Sequence, residues 1–403
     1  MSSNSLSHLR VLDLSRVLAG PWCGQILADL GAEVIKVERP GAGDDTRAWG
    51  PPFLKDRDGK ETKQGAYFLA ANRGKKSITL DLSTEQGQAI VRKLALQSDI
   101  LIENYKVGTL ERYGLGYKEL SALNPKLIYC SVTGFGQSGP LCEQPAYDFL
   151  IQALGGLMSV TGLPDGEPQK VGIPIVDLVT GIYSSVGILA AIASREKTGV
   201  GSHIDVAMLD VQVGLLSNQA MNYLVGGKTP MRTGNAHPNI QPQQVFSARD
   251  ADFIIVVGNE GQFANLCNAI GMPELISDER FSSNAARVRN KDALVQMLAL
   301  KFSEDDRATW ISKIGKSGVP CGPINSIPEV FAEPQVQHRG ILRNLPHPIS
   351  ETIPQVGSPL VFNGVRAMAD IPPPGLGTDT ETVLTGLGIT LQEQGDLRAQ
   401  GVI

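Results

Sequence analysis

Residues 10–40, RVLDLSRVLAGPWCGQILADLGAEVIKVERP, read as strand, helix, strand. The apolar run VLDL leads into an amphipathic stretch, and the second run, VIKVE, stops on an acid, Glu38. That is the outline of a nucleotide-binding βαβ unit with an acidic residue where a ribose would sit. The turn between strand and helix, SRVLAGPWCG, holds only Gly20 and Gly24, whereas G-x-G-x-x-G needs three glycines for a dinucleotide pyrophosphate. A nicotinamide dehydrogenase is therefore disfavoured, and the turn is expected to serve another ligand.

Outward from this unit, short apolar runs alternate with amphipathic stretches as far as Leu209, which predicts a mostly parallel sheet covered by helices. The strands are expected at VLDL, VIKVE, SITLDL, ILIE, LIYCSV and HIDVAM. The stretch STEQGQAIVRKLALQSD opens with a capping box, Ser83 with Gln86, and continues at helical spacing. Long helices are expected over 177–195 and 210–225, followed by a change of character at GGKTPMRTGNAHPNIQPQQ, rich in Gly, Pro and Asn. Beyond it, a strand at FIIVVG and helices over 260–270, 291–301 and 303–316, the last capped by Ser303 and Asp306, make an α+β segment. The expected division is a large domain over 1–225, a small domain over 226–329, and a tail, 330–403, too short and proline-rich for a core of its own and so packed on the large domain.

The chain has 403 residues and a net charge of -5, and its isoelectric point is near 5.7. With no long Lys/Arg run, it carries no electrostatic footprint for nucleic acid or an anionic membrane. Cys23, Cys130, Cys142, Cys267 and Cys321 stand singly, without C-x-x-C pairs or histidines at ligand spacing, so reduced thiols, no metal site and a cytoplasmic location are expected. The first ten residues lack the basic start and apolar core of a signal peptide. The most apolar stretch, 178–194, is short of the roughly 20 residues of a membrane span and reads as a buried core helix.

Neither a nucleophile elbow nor a Walker sequence is present, and no histidine adjoins a candidate nucleophile. Carboxylate chemistry remains. Asp177, in GIPIVDLVTG, is a lone acid between apolar runs at the start of a helix, where it reads as an N-cap or as a nucleophile at the carboxyl edge of a sheet. A helix N-terminus would hold it ionised in either case. Arg16, Lys36, Arg39, Arg73, Lys75, Lys76, Lys106 and Arg112 form a basic group. Of these, Arg16, Arg39, Lys106 and Arg112 follow strand ends of one sheet, where they could converge on a nucleotide diphosphate or a 3′-phosphate.

Eight blocks in order, the opening stretch with NRGKKSITLDL, LIENYKVGTLERYGL, YCSVTGFGQSGP, YDFLIQALGGLMSVTG, GIPIVDLVTG, GVPCGPINSI and LGTDTETVL, resemble the family III coenzyme A transferases, the CaiB/BaiF family. The resemblance spans about residues 10 to 387. It implies an α/β fold with a Rossmann-like large domain built from both termini, a small central α+β domain, and two subunits interlocked like chain links. It also implies that the first turn receives coenzyme A. By position, Asp177 matches the catalytic aspartate; Arg16, Val17 and Ala19 match first-turn contacts to coenzyme A, and Asn104, Tyr105, Arg112 and Tyr113 match contacts further along it, with Arg39 on the same rim.

The chain departs from the formyl-CoA transferase pattern. Leu18 replaces a glutamine, Thr133 and Phe135 replace a lysine and a tyrosine, and TGNAHPN replaces a tetraglycine loop, which argues against formate and oxalate as substrates. Racemases of this fold place a histidine before the aspartate of the YDFL block; here Tyr147 precedes Asp148, so that general base is missing. The resemblance implies transfer of CoA from an acyl-CoA, with succinyl-CoA the expected donor, to a short dicarboxylate such as glutarate or itaconate. Asp177 would carry anhydride and thioester intermediates in turn, with acyl-CoA as substrate and no tightly bound cofactor. Backbone N–H groups of 234–239 are expected near the acyl group, with Gly234, Asn235 and His237 as the loop residues concerned. A 2-methylacyl-CoA racemase and a non-catalytic CoA-binding protein are the alternatives.

Overall fold

The computed structural model describes residues 5–403, and the chain divides into two compact units. The first runs to Gly156, resumes over Val171–Ala220 and takes in Gln337–Ile403; the second comprises Leu157–Lys170 and Met221–Val336. The sequence placed the boundaries at 225 and 329 and gave no sign that 157–170 leaves the large unit.

The first unit is built on six parallel strands: β1 (Arg10–Asp13), β2 (Glu33–Glu38), β3 (Lys75–Thr79), β4 (Ile100–Glu103), β5 (Ile128–Thr133) and β6 (His203–Ala207). Their order across the sheet is β3-β2-β1-β4-β5-β6, that of a doubly wound nucleotide-binding fold. The order reverses between β1 and β4, and ligands of such folds bind at that switch point, beyond the carboxyl ends of the strands. Strands this apolar are buried on both faces, and two clusters result, one around Val11, Val34, Ile102 and Cys130, the other around Leu12, Ile35, Leu101 and Tyr129.

Helix α1 (Ala19–Asp29) follows β1, and α2 (Glu85–Leu96) follows β3. The cap of α2 is Thr84, whose hydroxyl accepts the Gly87 N–H at 3.0 Å, and Ser83 instead donates to Asp81; with a glycine three residues after the cap there is no side chain to reach back, so the expected capping box does not form. After α3 (Asp148–Leu154), helix α4 (Ile175–Thr198) is long and apolar enough to cross a membrane by length and composition alone. It is not the buried core helix the sequence suggested. Val176, Ile188 and Ile192 face inward, while Ile182, Tyr183, Val186 and Leu189 are exposed. The stretch expected as one helix over 210–225 is two, α5 (Met208–Leu215) and α6 (Ser217–Gly226), broken where Ser217 takes a positive φ of 42°.

The C-terminal segment closes the exposed edge of β3: Ser77 N–H donates to Asp379, and Thr79 N–H donates to the Thr380 hydroxyl. Pairing or covering an edge strand in this way removes a site for unwanted strand addition. The second unit has an antiparallel sheet of β7 (Gln243–Ser247), β8 (Asp252–Val256) and, later in the chain, β9 (Cys321–Pro323). Helices α7 (Glu260–Ile270), α8 (Lys291–Phe302) and α9 (Arg307–Lys316) accompany it, with Phe302 packed edge-on against Phe246, Phe253 and Trp310. Helix α9 starts at Arg307 and not at 303, and Ser303 instead closes α8.

Candidate active site

The turn after β1 is held by buried charge. Asp13 pairs with Lys75 at 2.9 Å and Lys36 with Asp44 at 2.9 Å, all four side chains fully shielded from solvent. Lys36 also donates to the Ser15 carbonyl at 2.8 Å. The Val17 N–H donates to both Asp44 oxygens at 3.2 and 3.3 Å, while Asn104 accepts the Arg16 N–H and donates back to the Arg16 carbonyl. These bonds hold Val17 at φ 69°, a left-handed conformation that costs a β-branched residue about 1–3 kcal/mol. The Lys36 ammonium and the Thr46 donors hold the Asp44 carboxyl down at about 2, against the burial that acts to raise it.

Glu38 lies beneath this turn and is not a ribose acceptor. It takes two bonds from Arg47, at 2.7 Å each, and others from the Ser77 hydroxyl and the Asp44 N–H. With its oxygens consumed by the fold, the acid that made the opening stretch look dinucleotide-binding has no ligand to hold.

Two adjoining clefts run along the carboxyl ends of the strands, sharing Arg16 and Tyr105. One is lined by Arg39, Lys36, Gly43, Ser83 and Tyr113; the other by Val17, Ala19, Asn104, Lys106, Tyr147 and Asp177. The structure thus gathers Arg16, Val17, Ala19, Arg39, Asn104, Tyr105, Tyr113 and Asp177 along one edge of the first unit. Arg112 lines neither cleft; its guanidinium reaches Thr109 at 3.4 Å. Among the rest of the basic group, Arg73 pairs with Asp29, and Lys36, Arg73 and Lys75 are buried partners of acids, not a basic rim. Gly234, Asn235 and His237 belong to the second unit, where Gly234 N–H donates to the Gly162 carbonyl and His237 Nδ1 accepts the Asn239 N–H.

Asp177 stands in the first turn of α4, yet it is not the cap: Pro174 occupies that position. Two close approaches set the carboxyl beside the first turn. A Cβ on Gly181 would lie 2.7 Å from the Ala19 carbonyl, so the glycine lets α4 lie on α1. A Cβ on Gly134 would lie 2.2 Å from the Ala146 Cβ, so 145–147 can close over the end of β5. Among the described residues none donates a hydrogen bond to the Asp177 carboxyl. Burial, and then the charge of Asp148, push that carboxyl up to about 7. This reverses the expectation that the helix terminus keeps it ionised.

The sequence also missed Tyr67, in the short helix Ala66–Ala70. Burial, followed by the charges of Asp177 and Asp148, pushes its phenol up to about 12, and its ring meets Trp49 edge-on at 5.1 Å. No motif marks it, because only the fold brings 67 and 177 together.

The profile of CoA-transferase family III matches residues 6–380. Succinate–glutarate CoA-transferase of Agrobacterium fabrum is 48% identical over 382 residues, covering 95% of each chain. Acetyl-CoA:oxalate CoA-transferase of Acetobacter aceti is 44% identical, covering 83% of this chain and 84% of its own. A solved CaiB/BaiF family protein from Brucella suis is 48% identical, with a TM-score of 0.82, covering 94% of this chain and 98% of its own. The mixed α/β fold with its parallel sheet, and the matches over nearly the whole chain, lead to one conclusion: this chain belongs to CoA-transferase family III and is a CoA-transferase.

Proposed function

We propose that the enzyme moves coenzyme A from succinyl-CoA to a short dicarboxylate, glutarate first among them, with Asp177 as the nucleophile. One observation carries the assignment of Asp177: it is a carboxylate with no hydrogen-bond donor among the described residues, shielded from solvent, at the wall of the cleft beside the switch point. A desolvated carboxylate without donors is a stronger nucleophile than a solvated one.

Asp177 attacks the thioester carbonyl of succinyl-CoA, the C–S bond breaks, and a succinyl-aspartyl anhydride forms as CoA thiolate leaves. The thiolate then attacks the aspartyl carbonyl and expels succinate, leaving an aspartyl-CoA thioester. Glutarate attacks that carbonyl and releases the thiolate again, now beside a glutaryl-aspartyl anhydride. Thiolate attack on the glutaryl carbonyl yields glutaryl-CoA and frees Asp177. Every step exchanges one acyl bond for another, so the thioester energy is conserved and water must be excluded. A coenzyme A thioester fits along the paired clefts with its phosphates toward Arg39 and its thioester at Asp177; Arg16, stacked at 5.5 Å over Tyr105, stands between.

Glutarate is favoured by the Agrobacterium relative, and oxalate is the competing acceptor on the strength of the Acetobacter one. The 2-methylacyl-CoA racemase reading is not favoured, since Tyr147 holds the place of the required histidine. The exposed apolar faces of α3 (Phe149, Leu150, Leu154) and α4 (Ile182, Tyr183, Val186, Leu189) support association with a second copy of the chain, in line with the interlocked dimer.

The test is to incubate the enzyme with succinyl-CoA and glutarate, itaconate or oxalate, and to follow acyl-CoA products by mass spectrometry alongside Asp177→Ala. Glutaryl-CoA from the wild type and none from the variant supports the proposal. Exclusive oxalyl-CoA formation would overturn the choice of acceptor.

A further inference from the structure

We propose that Asp148 is the positioning residue of this active site: it caps the helix that carries Asp177 and thereby leaves the Asp177 carboxyl free to attack. The inference rests on the reading of Asp177 as nucleophile and adds a residue which that reading does not need.

An acid in the first turn of a helix usually turns back onto the free N–H groups there, which hold it ionised and occupy its lone pairs. In α4 those donors are taken. The Val176 and Asp177 N–H groups both donate to Asp148 Oδ2, at 2.8 and 3.2 Å. The other oxygen of Asp148 accepts the Gln152 amide at 2.5 Å, and Gln152 in turn accepts the Val171 N–H at 2.9 Å. Asp148 and Gln152, one turn apart on α3, therefore brace the chain from 171 to 177, and both are buried. Two carboxyls share one helix terminus. Asp148 takes its hydrogen bonds, and Asp177 keeps unshared lone pairs.

The charge of Asp148 also bears on Asp177. After burial, it is the remaining cause that pushes the Asp177 carboxyl up to about 7. The other elements packed on α4 bring few titratable groups. Helix α1 brings Cys23, pushed up to about 12 by burial, and Asp29, which is paired with Arg73. β5 brings Cys130, whose thiol burial holds well above its usual range. β6 brings His203, lowered by burial, and Asp205, which accepts the Gln137 N–H; α5 brings exposed Asp210. Tyr67 faces both acids with its phenol pushed up to about 12, and so enters as a neutral group.

The test is the pH profile of kcat/KM for CoA transfer in wild type, Asp148→Asn, Asp148→Ser and Asp148→Glu. Asparagine keeps an acceptor oxygen at the same reach but carries no charge, whereas serine, one bond shorter, removes both the charge and the acceptor. The wild-type acid limb is expected near pH 7, since Asp177 must be ionised to attack. In Asn and Ser it moves to lower pH by on the order of one unit, the scale of a nearby like charge removed. The plateau kcat falls several-fold, KM for the acyl-CoA holds within about twofold, and Asp148→Glu returns the limb toward neutrality. A folded Asn or Ser variant whose acid limb stays at the wild-type position overturns the inference, while an inactive Asp177→Ala leaves the nucleophile standing. Asp177→Ala that still exchanges CoA overturns both.

Discussion

Replacing Asp44 with asparagine isolates the value of the buried charge that shapes the first turn. The asparagine oxygen can still accept the Val17 N–H, so the change removes charge and little volume. Holding the carboxyl at about 2 instead of the usual 3.8 corresponds to about 2.5 kcal/mol of folding free energy at pH 7. The direction follows from linkage. The folded value is depressed, so the stabilisation is present above the unfolded value and is lost as pH falls through the folded one. The gap between wild type and variant should therefore be about 2.5 kcal/mol at pH 7 and about half of that near pH 3. Because Lys36 also donates to Ser15, the lysine left behind keeps one partner, which argues against the full 3–5 kcal/mol range for a broken buried pair. Urea titration combined with peptide-resolved hydrogen exchange over 10–40 reads this unit by itself. KM for the acyl-CoA should rise as Val17 loosens. A gap below about 0.5 kcal/mol, or one that does not narrow between pH 7 and pH 3, would mean that the Asp44 charge does not hold the turn.

Glu103, at the end of β4, shows the opposite sign. Burial pushes its carboxyl from the usual 4.5 up to about 7, so this group destabilises the fold progressively as pH rises between those values, and Glu103→Gln should be more stable than wild type at pH 8 by about 3 kcal/mol. The advantage should vanish at pH 4, as thermal unfolding at the two pH values would show. Gly181→Val pushes α4 off the Ala19 carbonyl and should cost about 1–3 kcal/mol, with kcat falling more than KM rises, because the displaced group is Asp177. Steady-state kinetics and urea titration of the same preparation check both halves.

The parallel sheet was legible because its strands are continuous apolar runs, and ILIE at 100–103 was placed to the residue. The partners of the charged residues were not. Glu38 meets Arg47 and Ser77, nine and 39 residues away, and no spacing rule links a strand-end acid to such partners. The same blindness hid the partners of Lys36, Arg73 and Lys75 in the basic group: each is neutralised by a buried acid, Asp44, Asp29 and Asp13 in turn, that no spacing rule pairs with it. Asp177 was found because a lone acid between apolar runs stands out. Its capping role was misassigned because the true cap, Asp148, comes from a helix 29 residues earlier.

Transfer through Asp177 requires a covalent bond to that one side chain. Enzyme mixed with succinyl-CoA alone, quenched in acid and digested, should yield a peptide spanning 177 that carries CoA in thioester linkage on Asp177. The adduct should vanish on adding glutarate as glutaryl-CoA appears. Glutaryl-CoA formed at full rate by Asp177→Ala, or an adduct mapped to any other residue of a competent enzyme, would contradict it.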